Sequence, residues 1–385
     1  MAQQAYMTET GDNKGSGREP RGVRIRRLIG TLLGRAFGGW RGDPRIWRRG
    51  LVLTGFALAF SLVMLVHSRI PNHYGNLGSL TETFLPWIGV FVPVLLVLAL
   101  VRRSATALIA VVLPAVVWLN LFGGLLGDKT GGGGDLTVAT HNVNADNPDP
   151  SGTARDVAAS EADVLALEEL TDSAVPVYEK ALAATYKYHS VQGTVGLWSK
   201  YPLSGVKPVD IKLGWTRAMR ATAATPQGQV AVYVAHLPSV RVKLQAGFTA
   251  RQRDKSADAL GEAIADEPLP RVILLGDLNG TMNDRSLNAV TSQMRSTQGA
   301  AGSGFGFSWP ASFPMARIDQ IMVKGVDPVT SWTLPRTSSD HLPVAARVKV
   351  TTVGTFTPNR TGVETLRVRE WPYMMQPVRL SSRRS

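Results

Sequence analysis

Polar side chains stand where apolar runs of this chain end. RVILLG (271–276) runs into Asp277 and Asn279, VAVYVA (230–235) into His236, and LTVAT (136–140) is followed by Asn142 and Asn144. Two further pairs are Glu168-Glu169 after VLAL and Asp340-His341 in SSDHLPV (338–344). In a strand, positions two apart share a face, so Ile273, Leu275, Asp277 and Asn279 project together, as do Asn142 and Asn144. Carboxylate, carboxamide and imidazole at strand ends are the groups that a hydrolytic site on a β scaffold requires. Each piece alone has a second reading. Asn279-Gly280 also makes a hairpin turn, Ser339-Asp340-His341 a helix cap or loop. Glu168-Glu169 also suits a solvated helix end, and His236 a core histidine with satisfied partners.

The elements that must position these groups are short. Residues 136–144, 229–237, 271–279 and 317–325 read as strands, and 154–167 and 246–265 as helices. Ahead of them lie three apolar runs, Gly50–Ser68, Phe84–Val101 and Ala105–Leu126, none carrying a carboxylate, Lys or Arg. Each has about the length a helix needs to cross a bilayer, and Pro93 and Pro114 are tolerated in a membrane bundle. Arginines crowd the segment before the first run and form Arg102-Arg103 between the second and third, whereas only Arg69 lies between the first and second. The positive-inside rule therefore predicts a cytoplasmic N-terminus and everything beyond the third helix outside. No small-x-small cleavage site follows Ser68, so a retained anchor is expected rather than a signal peptide. The expected organisation is a basic cytoplasmic segment (1–49), three membrane helices (50–126), a Gly-rich flexible tether (127–135), a catalytic domain (136–350) and a basic tail (351–385).

Charge is distributed accordingly. Of the net +13, residues 1–50 contribute 11 Lys/Arg against 4 Asp/Glu and residues 359–385 contribute 6 against 2, while 135–358 hold 21 of each sign. A protein gripping duplex DNA by many phosphates would concentrate positive charge in its working domain, and this one does not. The absence of cysteine excludes thiol catalysis, disulfide scaffolds and cysteine-ligated zinc or iron–sulfur sites. A tether of nine residues reaches about 15–18 Å, similar to the radius of gyration of the domain, which would hold the domain against the membrane.

Seven blocks then occur in order: THNVN (140–144), ADVLALEEL (162–170), GLWSKYPL (196–203), VAHL (234–237), GDLNG (276–280), ARIDQI (316–321) and SSDHLPV (338–344). In this the chain resembles the endonuclease/exonuclease/phosphatase superfamily, which includes pancreatic-type deoxyribonuclease, abasic-site endonucleases, neutral sphingomyelinases and inositol-polyphosphate phosphatases. The resemblance covers most of 136–350 and implies an α/β fold. That fold is a four-layer sandwich of two packed mixed β-sheets flanked by helices, here preceded by the three-helix anchor. It implies Mg²⁺ or Mn²⁺, with Glu169 as main carboxylate ligand and Asn142, Asn144 and Asp340 near the metal. By the same resemblance Asp277 positions or deprotonates water, Asn279 holds a phosphoryl oxygen, His236 and His341 donate to the phosphate, and Asp319 orients His341.

Three positions depart from the family pattern: Asn144 where an acidic residue is common, Glu168 in the usual Gln position, and Gln320 where His or Tyr often follows the aspartate. Glu168 is expected to add negative charge beside the metal. Arg217, Arg220, Lys200 and Trp198 lie in segments able to reach the phosphate or its substituent, although any single one of them reads more readily as an ordinary surface residue. The expected protein is a membrane-anchored phosphoesterase acting outside the cytoplasm on phosphodiesters or phosphomonoesters. Lipid head groups, envelope glycoconjugates and nucleic acid are its candidate substrates. The other classes carried are an extracytoplasmic nuclease and a non-catalytic membrane-bound binding or assembly module. Against the last stands the intact set Glu169, His236, Asp277, Asn279, Asp319 and His341.

Overall fold

The structure, a computed structural model, describes residues 44–72, 76–239 and 247–350. Most of the basic N-terminal segment and the whole tail 351–385 lie outside the described residues. Helices α1 (Leu51–Val66), α2 (Leu77–Phe84), α3 (Phe91–Val101) and α4 (Ala105–Phe122) come first. They make three stretches long and apolar enough to span a membrane: Pro44–Arg69, Leu77–Val101 and Ala105–Leu125. The second begins earlier than the hydropathy predicts, because α2 carries Ser79, Thr81, Glu82 and Thr83 and so looks too polar to belong to it. Most large apolar side chains exposed in the molecule lie on these helices, among them Phe56, Leu62, Val97, Ile109 and Val116. Small residues let the helices approach: a Cβ on Gly89 would lie 2.2 Å from the Trp118 indole nitrogen.

Among the described residues twelve strands follow, arranged as two six-stranded sheets. The first has the order β11 (Asp327–Thr333), β12 (Val344–Lys349), β1 (Leu136–Asn142), β2 (Val164–Glu168), β4 (Val195–Ser199), β3 (Tyr188–Gln192). The second runs β5 (Leu203–Pro208), β6 (Ala218–Thr225), β7 (Gly228–Ala235), β8 (Val272–Asp277), β10 (Asp319–Lys324), β9 (Arg295–Ser296). Both are mixed: β1–β2 and β7–β8 are parallel pairs among antiparallel ones. Alternate residues such as Val138, Val164, Leu197, Val232, Ile273 and Leu275 fill the space between the sheets. Their outer faces are covered by α5 (Pro150–Ala158) and α6 (Val175–Leu182) on one side and α7 (Gly247–Ala265) on the other. The four-layer α/β sandwich preceded by apolar helices is therefore the observed architecture.

Two expectations change. Residues 154–167 are not one helix: α5 ends at Ala158, and VLAL belongs to β2, buried between β1 and β4. A four-residue apolar run has no periodicity to separate a buried strand from a helix turn. The link 127–135 is also not free. Gly131 N–H donates to the Val329 carbonyl (2.7 Å), Lys129 Nζ to the Gly299 carbonyl (2.8 Å), and Thr330 Oγ1 to the Gly131 carbonyl (3.0 Å).

Candidate active site

Strand direction gathers the polar ends. The parallel pair β1–β2 ends in Asn142 and Glu168, and the parallel pair β7–β8 delivers His236 and Asp277. Antiparallel β10 starts where β8 stops, with Asp319 opposite Asp277, and His341 sits in the loop that enters β12. All four ends lie at one edge of the sandwich. The backbone there is held in unusual conformations, with Asn144, Glu169 and Asn279 at φ of 63°, 62° and 46°. Left-handed geometry is uncommon for a glutamate, and such outliers concentrate at functional sites.

At the centre is Asp277, 1% exposed. Its Oδ2 accepts from Asn142 Nδ2 (3.0 Å) and Asn279 Nδ2 (3.1 Å), and its Oδ1 from the Asn279 N–H (2.8 Å). The two imidazoles approach the same oxygen, His236 Nε2 at 3.7 Å and His341 Nε2 at 3.9 Å. Behind His341, Asp319 accepts from Nδ1 at 2.9 Å. Burial alone would keep His341 neutral, but Asp319 and Asp277 push its pKa up to about 10. Asp319 is itself held below the carboxylate range: burial opposes ionisation, and the His341 cation outweighs it. Nε2 of His341 is thus a charged donor whose other nitrogen is fixed by a carboxylate. Burial pushes the Asp277 carboxyl up to about 7, with His341 pulling the other way.

Glu169 lies beside this group, its side chain 31% exposed and its Oε1 3.4 Å from His236 Nε2. Oε1 accepts from Asn142 Nδ2 (3.1 Å) and Oε2 from the Ala145 N–H (3.1 Å). Asp277, Asp319 and His341 offer ligand atoms within 4.8 Å of one another, although the Asp319–His341 pair is already committed to its own hydrogen bond. The carboxylates of Asp277 and Glu169, with Asp340 nearby, fit a hard divalent cation, whereas the Asn142 carboxamide faces them with Nδ2, its Oδ1 accepting from the Asn144 N–H (3.0 Å), and would serve as a ligand only with that amide turned over. Asp340, exposed, stands at the cavity rim. Asn144 faces a neighbouring hollow that also reaches Glu169, and its Oδ1 accepts from the Asp146 N–H (3.0 Å).

Glu168 departs from the expected negative charge beside the cation site. It is fully buried, accepts from Thr140 Oγ1 (2.6 Å), and burial raises its carboxyl well above the usual range, favouring the neutral form. A neutral carboxyl offers one donor and one acceptor, as the amide usual at this position does.

Three expected substrate contacts are placed elsewhere. Arg220 is cross-strand to Tyr233 on the outer face of the second sheet, while its neighbours Met219 and Ala221 point inward; it pairs with Glu267 at 2.8 Å. Lys200 follows β4, whose antiparallel course carries it to the far end, beside Asp163 (3.2 Å). Trp198 is 1% exposed, packed under α5 and α6. Of the four residues considered, Arg217 does reach the site, its guanidinium lying directly against the His236 ring. Burial, then Arg217 and His341, hold the His236 imidazole well below its usual pKa, so it accepts from Arg217.

Two hollows without any signature in the sequence flank this centre. One, of about 460 Å³, is lined by Leu80, Thr83 and Phe84 of α2 together with Trp309, Ile318 and the carboxylates of Glu169, Asp277 and Asp340. The other, of about 340 Å³, runs from Glu169 and His236 past Thr171 and Asp172 to Trp215 and Arg217.

The sequence model described as the endonuclease/exonuclease/phosphatase family matches residues 139–341. No curated protein matches the chain. Among solved structures it is similar to an endonuclease/exonuclease/phosphatase from Bacteroides vulgatus, at 16% identity and a TM-score of 0.48 over 56% of this chain and 99% of that one. It is similar to D. rerio TDP2 complexed with single-strand DNA product, at 19% and 0.47 over 56% and 98%. It is also similar to Staphylococcus aureus beta toxin with bound magnesium ions, at 14% and 0.43 over 55% and 99%. With more than half of its length matched by that one sequence model, the chain belongs to the endonuclease/exonuclease/phosphatase family.

Proposed function

We propose that this chain is a divalent-metal-dependent phosphoesterase, anchored in a membrane by its three apolar helices, with the catalytic domain outside the cytoplasm. The observation that carries this reading is Asp277 placed between His236 and His341, with Asp319 holding His341 in its donor form. Asp277 Oδ2 takes the proton of a water aligned with phosphorus, aided by a carboxyl pKa of about 7. His341 Nε2–H donates to a phosphoryl oxygen as negative charge builds there, and the Asn279 amide, anchored to Asp277 and the Leu237 carbonyl, borders the same oxygen. Neutral His236 is kept in place by Arg217 and closes the opposite side. Glu169 and Asn142, with Asp340 and Asn144 nearby, would hold Mg²⁺ or Mn²⁺. Such an ion supplies positive charge to the phosphate and its transition state.

One observation favours a nuclease as second reading. Trp215 is 55% exposed and the Arg217 guanidinium lies over its ring at 5.0 Å, a platform on which a base could stack. Hydrolysis of bis-p-nitrophenyl phosphate by the full chain in detergent tests the enzyme reading. Turnover should require Mg²⁺ or Mn²⁺, stop with chelator and be lost in Asp277→Ala. No turnover with any divalent metal would favour a binding or assembly module. A reporter fused to the C-terminus tests the side of the membrane, and an inward-facing reporter would refute the extracytoplasmic placement.

A further inference from the structure

The catalytic cavity has a wall that belongs to the membrane anchor. Leu80, Thr83 and Phe84 are spaced i, i+3, i+4, so they form one face of α2, and that face lines the cavity holding Asp277 and His341. Ser79 and Glu82 lie on another face, locked to the domain: Arg253 Nη2 donates to Ser79 Oγ (2.8 Å), and Thr281 Oγ1 to the Glu82 carbonyl (3.2 Å). The position of α2 against the site is therefore fixed. Trp309 and Ile318 continue the apolar lining from the domain side.

Just beyond this wall the chain reaches the level where a bilayer would begin. Trp87 donates from Nε1 to the Met315 carbonyl (2.8 Å) and packs against Phe307 and Phe313, at 5.9 and 6.2 Å between ring centres. Trp118 packs against Phe305 (6.2 Å), and Phe313 is 62% exposed. Aromatic side chains gather at membrane–water interfaces. Phe84 precedes Trp87 by three residues, about 5 Å along a helix. That is comparable with the head-group layer, about 5–8 Å on each side of the hydrocarbon. A bilayer boundary at the level of Trp87 and Trp118 would put the mouth of the cavity at head-group height. On the other side of the catalytic group the second hollow brings Glu169, Thr171, Asp172, Thr194 and Arg217 around the exposed face of Trp215.

We infer that the substrate is a long-chain phospholipid-type ester bound astride the catalytic centre. Its apolar chain lies against Leu80, Phe84, Trp309 and Ile318, and its polar substituent against Trp215 and Arg217. This rests on the phosphoesterase reading and deepens it. α2 is then a specificity element as well as part of the anchor. Nucleic acid would have to bring a charged backbone against the apolar wall, in a domain whose residues 135–358 carry no net positive charge.

The test uses the full chain in phosphatidylcholine nanodiscs with Mg²⁺, offered dioleoyl phosphatidylglycerol, its dihexanoyl analogue, an oligothymidylate and bis-p-nitrophenyl phosphate. The dioleoyl lipid should exceed the dihexanoyl one in kcat/KM by about tenfold or more, the equivalent of two or three methylenes against an apolar wall. Leu80→Asp should bring that ratio close to one. Leu80→Ser, which adds no charge, should lower it in the same direction should the aspartate variant not fold. Equal rates on the two lipids, or faster turnover of the oligonucleotide than of either, would overturn the inference and leave the phosphoesterase reading standing. No hydrolysis of bis-p-nitrophenyl phosphate would sink that reading instead. A binding readout then decides independently: in Asp277→Asn, a diazirine at the end of the lipid chain should label the peptide containing Leu80–Phe84. Labelling confined to α1 and α4 would overturn the lipid site.

Discussion

At the scale of single residues, Asp319 lines neither hollow but sets the state of His341. It accepts the Nδ1 proton at 2.9 Å and keeps the imidazole charged. In Asp319→Asn the ring loses both its tautomer control and the charge that raises it. The expected result is a fall of about 10²–10⁴ in kcat for bis-p-nitrophenyl phosphate, steeper at alkaline pH than at pH 6. A pH–rate profile parallel to that of the parent would refute the orienting role. Asp277 makes a different prediction. Burial of its carboxyl opposes ionisation, so Asp277→Asn should match or exceed the parent in Tm while losing activity. A large drop in Tm would mean that the residue is primarily structural.

Elements determine which of these side chains can meet. Asp277 reaches His236 because β7 and β8 are parallel and very close at their ends. Gly276 has φ +142°, and a Cβ there would lie 1.9 Å from the Ala235 carbonyl oxygen. Gly276→Ala must therefore push the two strand ends apart, and both Tm and turnover should fall together. A variant with normal activity would show that the strands have room. The outer face of the second sheet carries a separate tie, in which Glu267 after α7 accepts from Arg220 on β6 (2.8 Å) and Tyr233 on β7 (2.8 Å). Burial pushes the Glu267 carboxyl up, but Arg220, the Leu269 N–H and Tyr233 together hold it below its ordinary 4.5. A depressed carboxyl stabilises the fold above the unfolded pKa and loses that contribution as pH falls through the folded one. Tm measured from pH 6 down through 4 should therefore fall more for the parent than for Glu267→Gln. Parallel curves would remove the tie from the account of acid stability.

Over the whole molecule, one buried arginine joins the apolar helices to the site. Arg253, 1% exposed, donates to Ser79 Oγ on α2, to Asp284 Oδ2 (2.6 Å) and Ser286 Oγ (2.7 Å), and from Nη1 to the Asn279 carbonyl (2.9 Å). Arg253→Met leaves Asp284 buried without its cation and should cost about 3–5 kcal/mol. Adding Asp284→Leu should recover much of that loss in a double-mutant cycle followed by thermal denaturation, and purely additive losses would show that the two act separately. Because Arg253 also holds the Asn279 turn, the single variant should lower kcat as well as Tm.

Much of this molecule was legible in the sequence because the signals are local. Charge-free apolar runs announced the helices long and apolar enough to span a membrane, and alternating valines and leucines ending in Asp277, His236 and Asn142 announced strands with a polar edge. Ordered blocks announced the family. What remained hidden depends on contacts between residues far apart in the chain. VLAL cannot reveal that it lies between β1 and β4, and strand period alone cannot say that Arg220 faces outward, or that Lys200 follows an antiparallel strand to the wrong end. The polar turn of α2 conceals that its Leu80 and Phe84 wall the cavity. Residues 80 and 341 come to line one cavity only when two sheets, their connecting loops and the apolar helices pack together, and that packing is a property of the tertiary fold.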